Sequence, residues 1–125
     1  MKRASAAFLL GGVLLASGCA GGGGLYPDTD VMEVQGYELK VATGVQKSGG
    51  LLQTGSLEYS GAGDLTTVFR EYVAAMRSAG WTSATDDIAG GKAIGTMRKD
   101  NRTCALEFIS AAGQVRATIK VSQTK

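Results

Sequence analysis

Residues 64–81 read DLTTVFREYVAAMRSAGW, and they carry a helical period between blocks of sequence that alternate with a period of two. Leu65, Val68, Phe69, Tyr72, Val73 and Met76 fall three or four apart and make one apolar stripe, with Arg70, Glu71, Arg77 and Ser78 opposite. Asp64 stands where an N-cap belongs, because its carboxylate can accept from the unpaired N–H groups of the first turn. Gly80 stops the helix as a left-handed cap, and Trp81 folds back over the last turn.

On the N-terminal side, Thr54–Ser60 places Leu57 and Tyr59 on one face and Ser56, Glu58 and Ser60 on the other, then ends at Gly61-Ala62-Gly63. On the C-terminal side a meander follows. Trp81–Thr85 is a strand turned by Asp86–Gly91, and Lys92–Arg98 is the next, turned at Lys99-Asp100-Asn101. Arg102–Ile109 points Cys104, Leu106 and Phe108 inward and turns through Ala111-Ala112-Gly113. Gln114–Ser122 points Val115, Ala117, Ile119 and Val121 inward and Arg116, Thr118 and Lys120 outward. Such alternation belongs to an antiparallel sheet with one covered and one wet face, and the amphipathic helix is the natural cover.

The expected class is therefore α+β: one amphipathic helix on a mostly antiparallel sheet of about four to six strands, in the order β-α-β-β-β-β, as a two-layer sandwich. A further strand is expected at Tyr37–Val41, with a loop over Gln46–Gly50. The expected core is Leu57, Tyr59, the helix stripe, Trp81, Ile94, Cys104, Leu106, Phe108, Val115, Ile119 and Val121.

Residues 1–20, MKRASAAFLLGGVLLASGCA, begin with Lys2 and Arg3, continue as an apolar run and end on small residues before Cys19. That is the form of a secretory signal. Ala16-Ser17-Gly18 directly before Cys19 resembles the lipobox of bacterial lipoproteins, although Ala16 stands where Leu is more usual. The resemblance implies diacylglyceryl on the Cys19 thiol, cleavage between Gly18 and Cys19, and acylation of the freed amine by a palmitate-like chain. Two alternatives stand beside it: an ordinary cleaved signal, or a retained helix, which would need roughly 20 apolar residues. Several acyl chains make a lasting tether where one holds only marginally. Ala20 in place of the Asp that favours inner-membrane retention points to the outer membrane, facing the periplasm.

The domain organisation follows: a signal peptide over 1–18, a lipidated Gly-rich tether over 19–30 and a small α+β domain over 31–125. Of thirteen Lys and Arg residues two lie in the signal, so eleven face eleven Asp and Glu in the mature chain. A near-neutral chain lacks the basic excess of a general nucleic-acid binder. The charge is uneven, however: Leu65–Lys125 holds nine basic and five acidic residues, whereas Cys19–Asp64 holds two and six.

A second resemblance spans residues 51–124. Gly55-Ser56-Leu57-Glu58-Tyr59-Ser60-Gly61, Val68–Tyr72, Met76, Gly80-Trp81, Met97-Arg98-Lys99 and Asn101-Arg102-Thr103 are similar to a family of small uncharacterised bacterial lipoproteins. It implies a fold and a location, with no activity or functional residue to carry over.

The chemistry available is narrow. The chain has no histidine, which removes His-based triads and the commonest metal ligand. With Cys19 lipidated, Cys104 stands alone, a small core hydrophobe or else a thiol open to intermolecular pairing. Asp86-Asp87 is an adjacent carboxylate pair that reads as a solvated turn, and the glycine runs lack a phosphate-loop context. Arg98, Lys99, Arg102, Arg116 and Lys120 form the one cluster to single out, either a solubilising face or a surface for anions or a partner. The expectation is a non-enzymatic, lipid-anchored binding or assembly module without a cofactor. It meets an envelope protein or a cell-wall component through its sheet face or edge. The alternative is a small-molecule or lipid carrier in the periplasm, which needs a cavity between helix and sheet.

Overall fold

The structure is a computed structural model and describes residues 24–123; Cys19, Gly18 and the signal segment lie outside them. The described elements are β1 (Glu38–Ser48), β2 (Leu51–Ala62), α1 (Leu65–Ser78), β3 (Thr82–Ala89), β4 (Lys92–Lys99), β5 (Arg102–Ala111) and β6 (Gln114–Gln123). All six strands join one sheet in the order β1-β2-β6-β5-β4-β3, every pair antiparallel. The chain is thus α+β and dominated by its sheet.

The helix forms where its periodicity places it. The Asp64 carboxylate accepts from the Thr67 N–H at 3.0 Å and the Thr67 hydroxyl at 2.9 Å. At the other end Gly80 takes φ +100°. Its N–H bonds the Arg77 carbonyl and the Trp81 N–H bonds that of Met76, both at 3.0 Å. This is a Schellman closure, which needs a residue in the left-handed region just past the C-cap. Leu65, Phe69, Tyr72, Val73 and Met76 are buried. Phe69 meets Phe108 edge-on with ring centroids 5.3 Å apart, and Tyr72 meets the same ring at 5.7 Å.

The strand register sets the inner face in rows. Tyr59, Ala117, Phe108 and Ala93 lie side by side across four strands, so large and small side chains alternate beneath the helix. Two-residue turns at Gly49-Gly50 and Gly90-Gly91 join hairpins, with φ of 60° and 79° at each pair, the backbone that matches strand twist.

Several expectations need correction. The extra strand β1 runs to Ser48 rather than stopping at Val41, so Gln46–Gly50 is mostly strand. Asp86–Gly91 is likewise mostly strand, since β3 continues to Ala89. Ile94 is 45% exposed because it pairs with Glu107 and Asp87 on the wet face. The order is accordingly β-β-α-β-β-β-β.

Residues 25–30 are not a free tether. The Gly24 carbonyl already accepts from the Glu33 N–H at 2.9 Å, Leu25 bridges to Met32, and Thr29, Val31 and Val34 are buried. A sheet of this width spans about 24 Å across its strands, while a helix is about 10 Å wide. One helix cannot cover it. Helix α1 lies over β3, β4 and β5. The irregular segment Leu25–Tyr37, hereafter the strap, closes the space over β2. Its Tyr37 ring sits on Gly61, where an added Cβ would come within 2.6 Å of the ring. The Tyr72 hydroxyl donates to the Met32 carbonyl at 2.7 Å and ties strap to helix.

Candidate functional site

The register divides the five cations singled out from the sequence between the two faces of the sheet. Arg98, Arg116 and Lys120 lie on the wet face, whereas Lys99 and Arg102 lie opposite one another on the inner face. Arg102 is 1% exposed, so its place in a surface cluster is corrected. Strand parity carries the signal: Arg102 shares a face with Cys104, Leu106 and Phe108.

Two like charges side by side on a covered face repel, and Asp30 of the strap resolves the conflict. One of its carboxylate oxygens accepts from Arg102 Nη2 at 2.7 Å and pairs with Lys99 Nζ at 3.0 Å. The other accepts from Arg102 Nη1 at 2.9 Å and from the Leu52 N–H at 3.3 Å. Arg102 Nη1 also donates to the Leu52 carbonyl at 2.9 Å, and Lys99 Nζ to the Ala79 carbonyl at 2.8 Å. The Trp81 indole N–H donates to the Asp30 carbonyl at 3.0 Å, and the guanidinium carbon lies 4.9 Å from the Trp81 ring centre.

Burial pushes the Asp30 carboxyl upward, but hydrogen bonds from Arg102, Lys99 and Leu52 outweigh it and hold the group far below the ordinary carboxylate range. The same pairing raises Arg102. With its donors and acceptors met from three sides, this cluster is a clasp that fastens the strap to β2, β4, β5 and the helix corner. Asp30 is the residue that sequence reasoning missed: it lies in a turn-rich stretch, 72 positions from Arg102.

Cys104 is fully buried in β5, and burial pushes its thiol up to about 12. A thiol this protonated is a poor nucleophile. Asp86 and Asp87 point to opposite faces of β3 and do not converge as a pair: Asp86 lies opposite Gly95 and Asp87 opposite Ile94. Among the described residues no group of three or more His, Cys, Asp and Glu side chains could hold a metal.

The wet face mixes short hydroxyl side chains with longer charged ones. One row across it reads Thr43, Ser56, Lys120, Ala105, Thr96 and Thr85, and the next reads Val41, Glu58, Thr118, Glu107, Ile94 and Asp87. Arg116 lies 3.7 Å from Glu58 and Lys92 3.6 Å from Glu107, both at exposed positions. Arg98 and Lys120 have no ion-pair partner among the described residues. Around Lys120 the register of β1 against β2 shifts between Thr43 and Gln46, and the sheet surface sinks into a shallow basin of about 430 Å³. Thr43, Gly44, Thr54, Gly55, Ser56, Lys120 and Val121 line it. An ammonium ringed by hydroxyls suits an anionic or polyhydroxylated group, bound without displacing any core contact.

Comparison with known proteins finds no matching family model, curated protein or solved structure.

Proposed function

We propose that the chain is a lipoprotein held to the outer membrane through Cys19 and works as a non-enzymatic binding or assembly module in the periplasm. Its open sheet face, centred on Lys120, meets another envelope component. The observation that carries this reading is the division of the cations. Lys99 and Arg102 are consumed in the clasp, while Lys120 and Arg98, on the opposite face, have no ion-pair partner among the described residues. Ser56, Thr96 and Thr118 keep stretches of this face low between the Arg116–Glu58 and Lys92–Glu107 pairs. Helix α1 and the strap back this sheet from the other side.

The carrier reading draws nothing from the space between helix and sheet, which Phe69, Met76, Leu106, Phe108 and Ile119 fill at 2% exposure or less. The anchor is tested by intact-mass analysis of membrane-extracted protein beside Cys19→Ser. A lipid mass on the first and its loss from the second is expected, and an unmodified wild-type terminus would end the anchored reading. The face is tested by placing a photo-crosslinking residue in living cells at Thr118 or at Ala74, an exposed helix position. Adducts are expected at Thr118 and not at Ala74, and Lys120→Glu should abolish them. Equal labelling at both positions would remove the face from consideration.

A further inference from the structure

Beside the entry of the strap, the outer surface of the helix layer carries an open groove of about 460 Å³ lined by Leu25, Met32, Gln35, Ala75, Ser78 and Ala79. None of these side chains is charged, and Leu25 is 48% exposed, a large hydrophobic without cover among the described residues. Val41 and Ile94 are about as exposed on the wet face, so exposure alone does not single Leu25 out; the uncharged groove beside it does.

What covers it is argued from chain length. The Gly24 carbonyl is bonded to the Glu33 N–H, so the domain is fixed from residue 24 onward. Only Ala20–Gly23 separate that point from Cys19. Six residue steps from Cys19 to Leu25 reach about 20 Å at full extension, and the headgroup layer is itself about 6 Å deep. A lipid on Cys19 therefore keeps Leu25 within about 14 Å of the headgroup surface. It also leaves the domain too short a leash to turn its opposite side to the lipid.

We propose that the Leu25–Met32–Ala75–Ala79 groove rests on the surface of the anchoring bilayer, so that the open sheet face points away from the membrane toward its partner. This rests on lipid attachment at Cys19. The chemistry fits the neutral interface of the bilayer. The groove itself brings no charge to be desolvated. The acidic residues nearby, Glu33 and Glu71, line an adjoining concavity that shares Met32, Gln35 and Ala75 with the groove but does not reach Leu25.

The test uses mature, detergent-extracted protein reconstituted into phosphatidylcholine vesicles whose acyl chains are brominated near the glycerol. The one native tryptophan, Trp81, is buried and supplies the unquenched reference. Leu25→Trp places a reporter in the groove, and Ile94→Trp places one at a similarly exposed position on the wet face. Most of the added emission should be lost for Leu25→Trp and retained for Ile94→Trp. Flotated protein with Leu25→Trp unquenched, or with Ile94→Trp quenched as strongly, overturns the orientation while leaving the anchor intact. Wild-type protein that fails to float with the vesicles overturns the anchored reading itself.

Discussion

Asp30 is the residue on which the interior depends most directly. Its carboxylate joins a guanidinium and an ammonium that would otherwise face each other across β4 and β5, at N···O distances of 2.7 and 3.0 Å. Removing one member of a buried pair leaves an unmet charge and costs about 3–5 kcal/mol. Asp30→Asn should therefore lower unfolding free energy by about 3 kcal/mol, read from urea denaturation. The pH dependence has a fixed sign. A carboxyl lowered on folding gives stability that is complete above its unfolded pKa and is lost as pH falls toward the folded value. Wild-type stability should thus decline below pH about 4, and that decline should be shallower in Asp30→Asn.

The tyrosines give a paired test at the same scale. The Tyr59 hydroxyl is buried without a hydrogen-bond partner among the described residues, and burial raises its pKa further above the ordinary phenol value. The Tyr72 hydroxyl is buried too but donates to Met32 at 2.7 Å. Tyr59→Phe should leave stability unchanged or raise it by about 1 kcal/mol, whereas Tyr72→Phe should lower it by about 1 kcal/mol. Thermal denaturation of the two variants decides this. Equal losses would mean that the Tyr59 hydroxyl is satisfied in solution.

Among the elements, the β5–β6 hairpin carries the clearest local strain. Its two-residue turn puts Ala112 at φ 54° and Gly113 at φ 78°. The left-handed region costs a non-glycine residue about 1–2 kcal/mol, and Asn-Gly is the preferred pair for such a turn. Ala112→Asn should raise the melting temperature, with a gain of about 1 kcal/mol, and an unchanged midpoint would show that the turn is relaxed.

The same elements show what a sequence reveals. Helix α1 and strands β4 to β6 were legible because each buries one face, so composition follows backbone period. Strand β1 was legible only in part. It lies at the sheet edge with most residues exposed, and its register against β2 shifts between Leu39 and Val41 and again between Thr43 and Gln46. The alternation breaks where the ladder does. The strap has no period at all, and its burial depends on partners 22 to 72 positions away. Arg102 was legible by parity, but a cation in a hairpin end reads as surface until its carboxylate is found. The open face followed from alternation, whereas the basin at Lys120 depends on the β1 irregularity and has no sequence signature.

At the scale of the whole molecule, the clasp joins the strap, strand β2 and the β4–β5 hairpin, which share no ladder with one another. The strap enters at Gly24 and is bonded through Asp30 to Leu52 of β2, Lys99 of β4 and Arg102 of β5, with Trp81 closing the helix corner. Tension on a lipid anchor at Cys19 would therefore reach the middle of the sheet rather than peel an edge strand. Cys104 sits two residues from Arg102 on the same face of β5, fully buried, and reports whether that region opens. In the native state its labelling by a thiol reagent requires an opening transition, so the rate follows the population of the open form when closing is fast. If the clasp stabilises the entire cooperative unit, a loss of about 3 kcal/mol in Asp30→Asn should speed Cys104 labelling about a hundredfold, since about 1.4 kcal/mol is tenfold in population. If the clasp only pins the strap, urea stability will fall while Cys104 labelling stays near the wild-type rate. Measuring both on one variant separates the two cases, and the bonding of Asp30 to three strands favours the first.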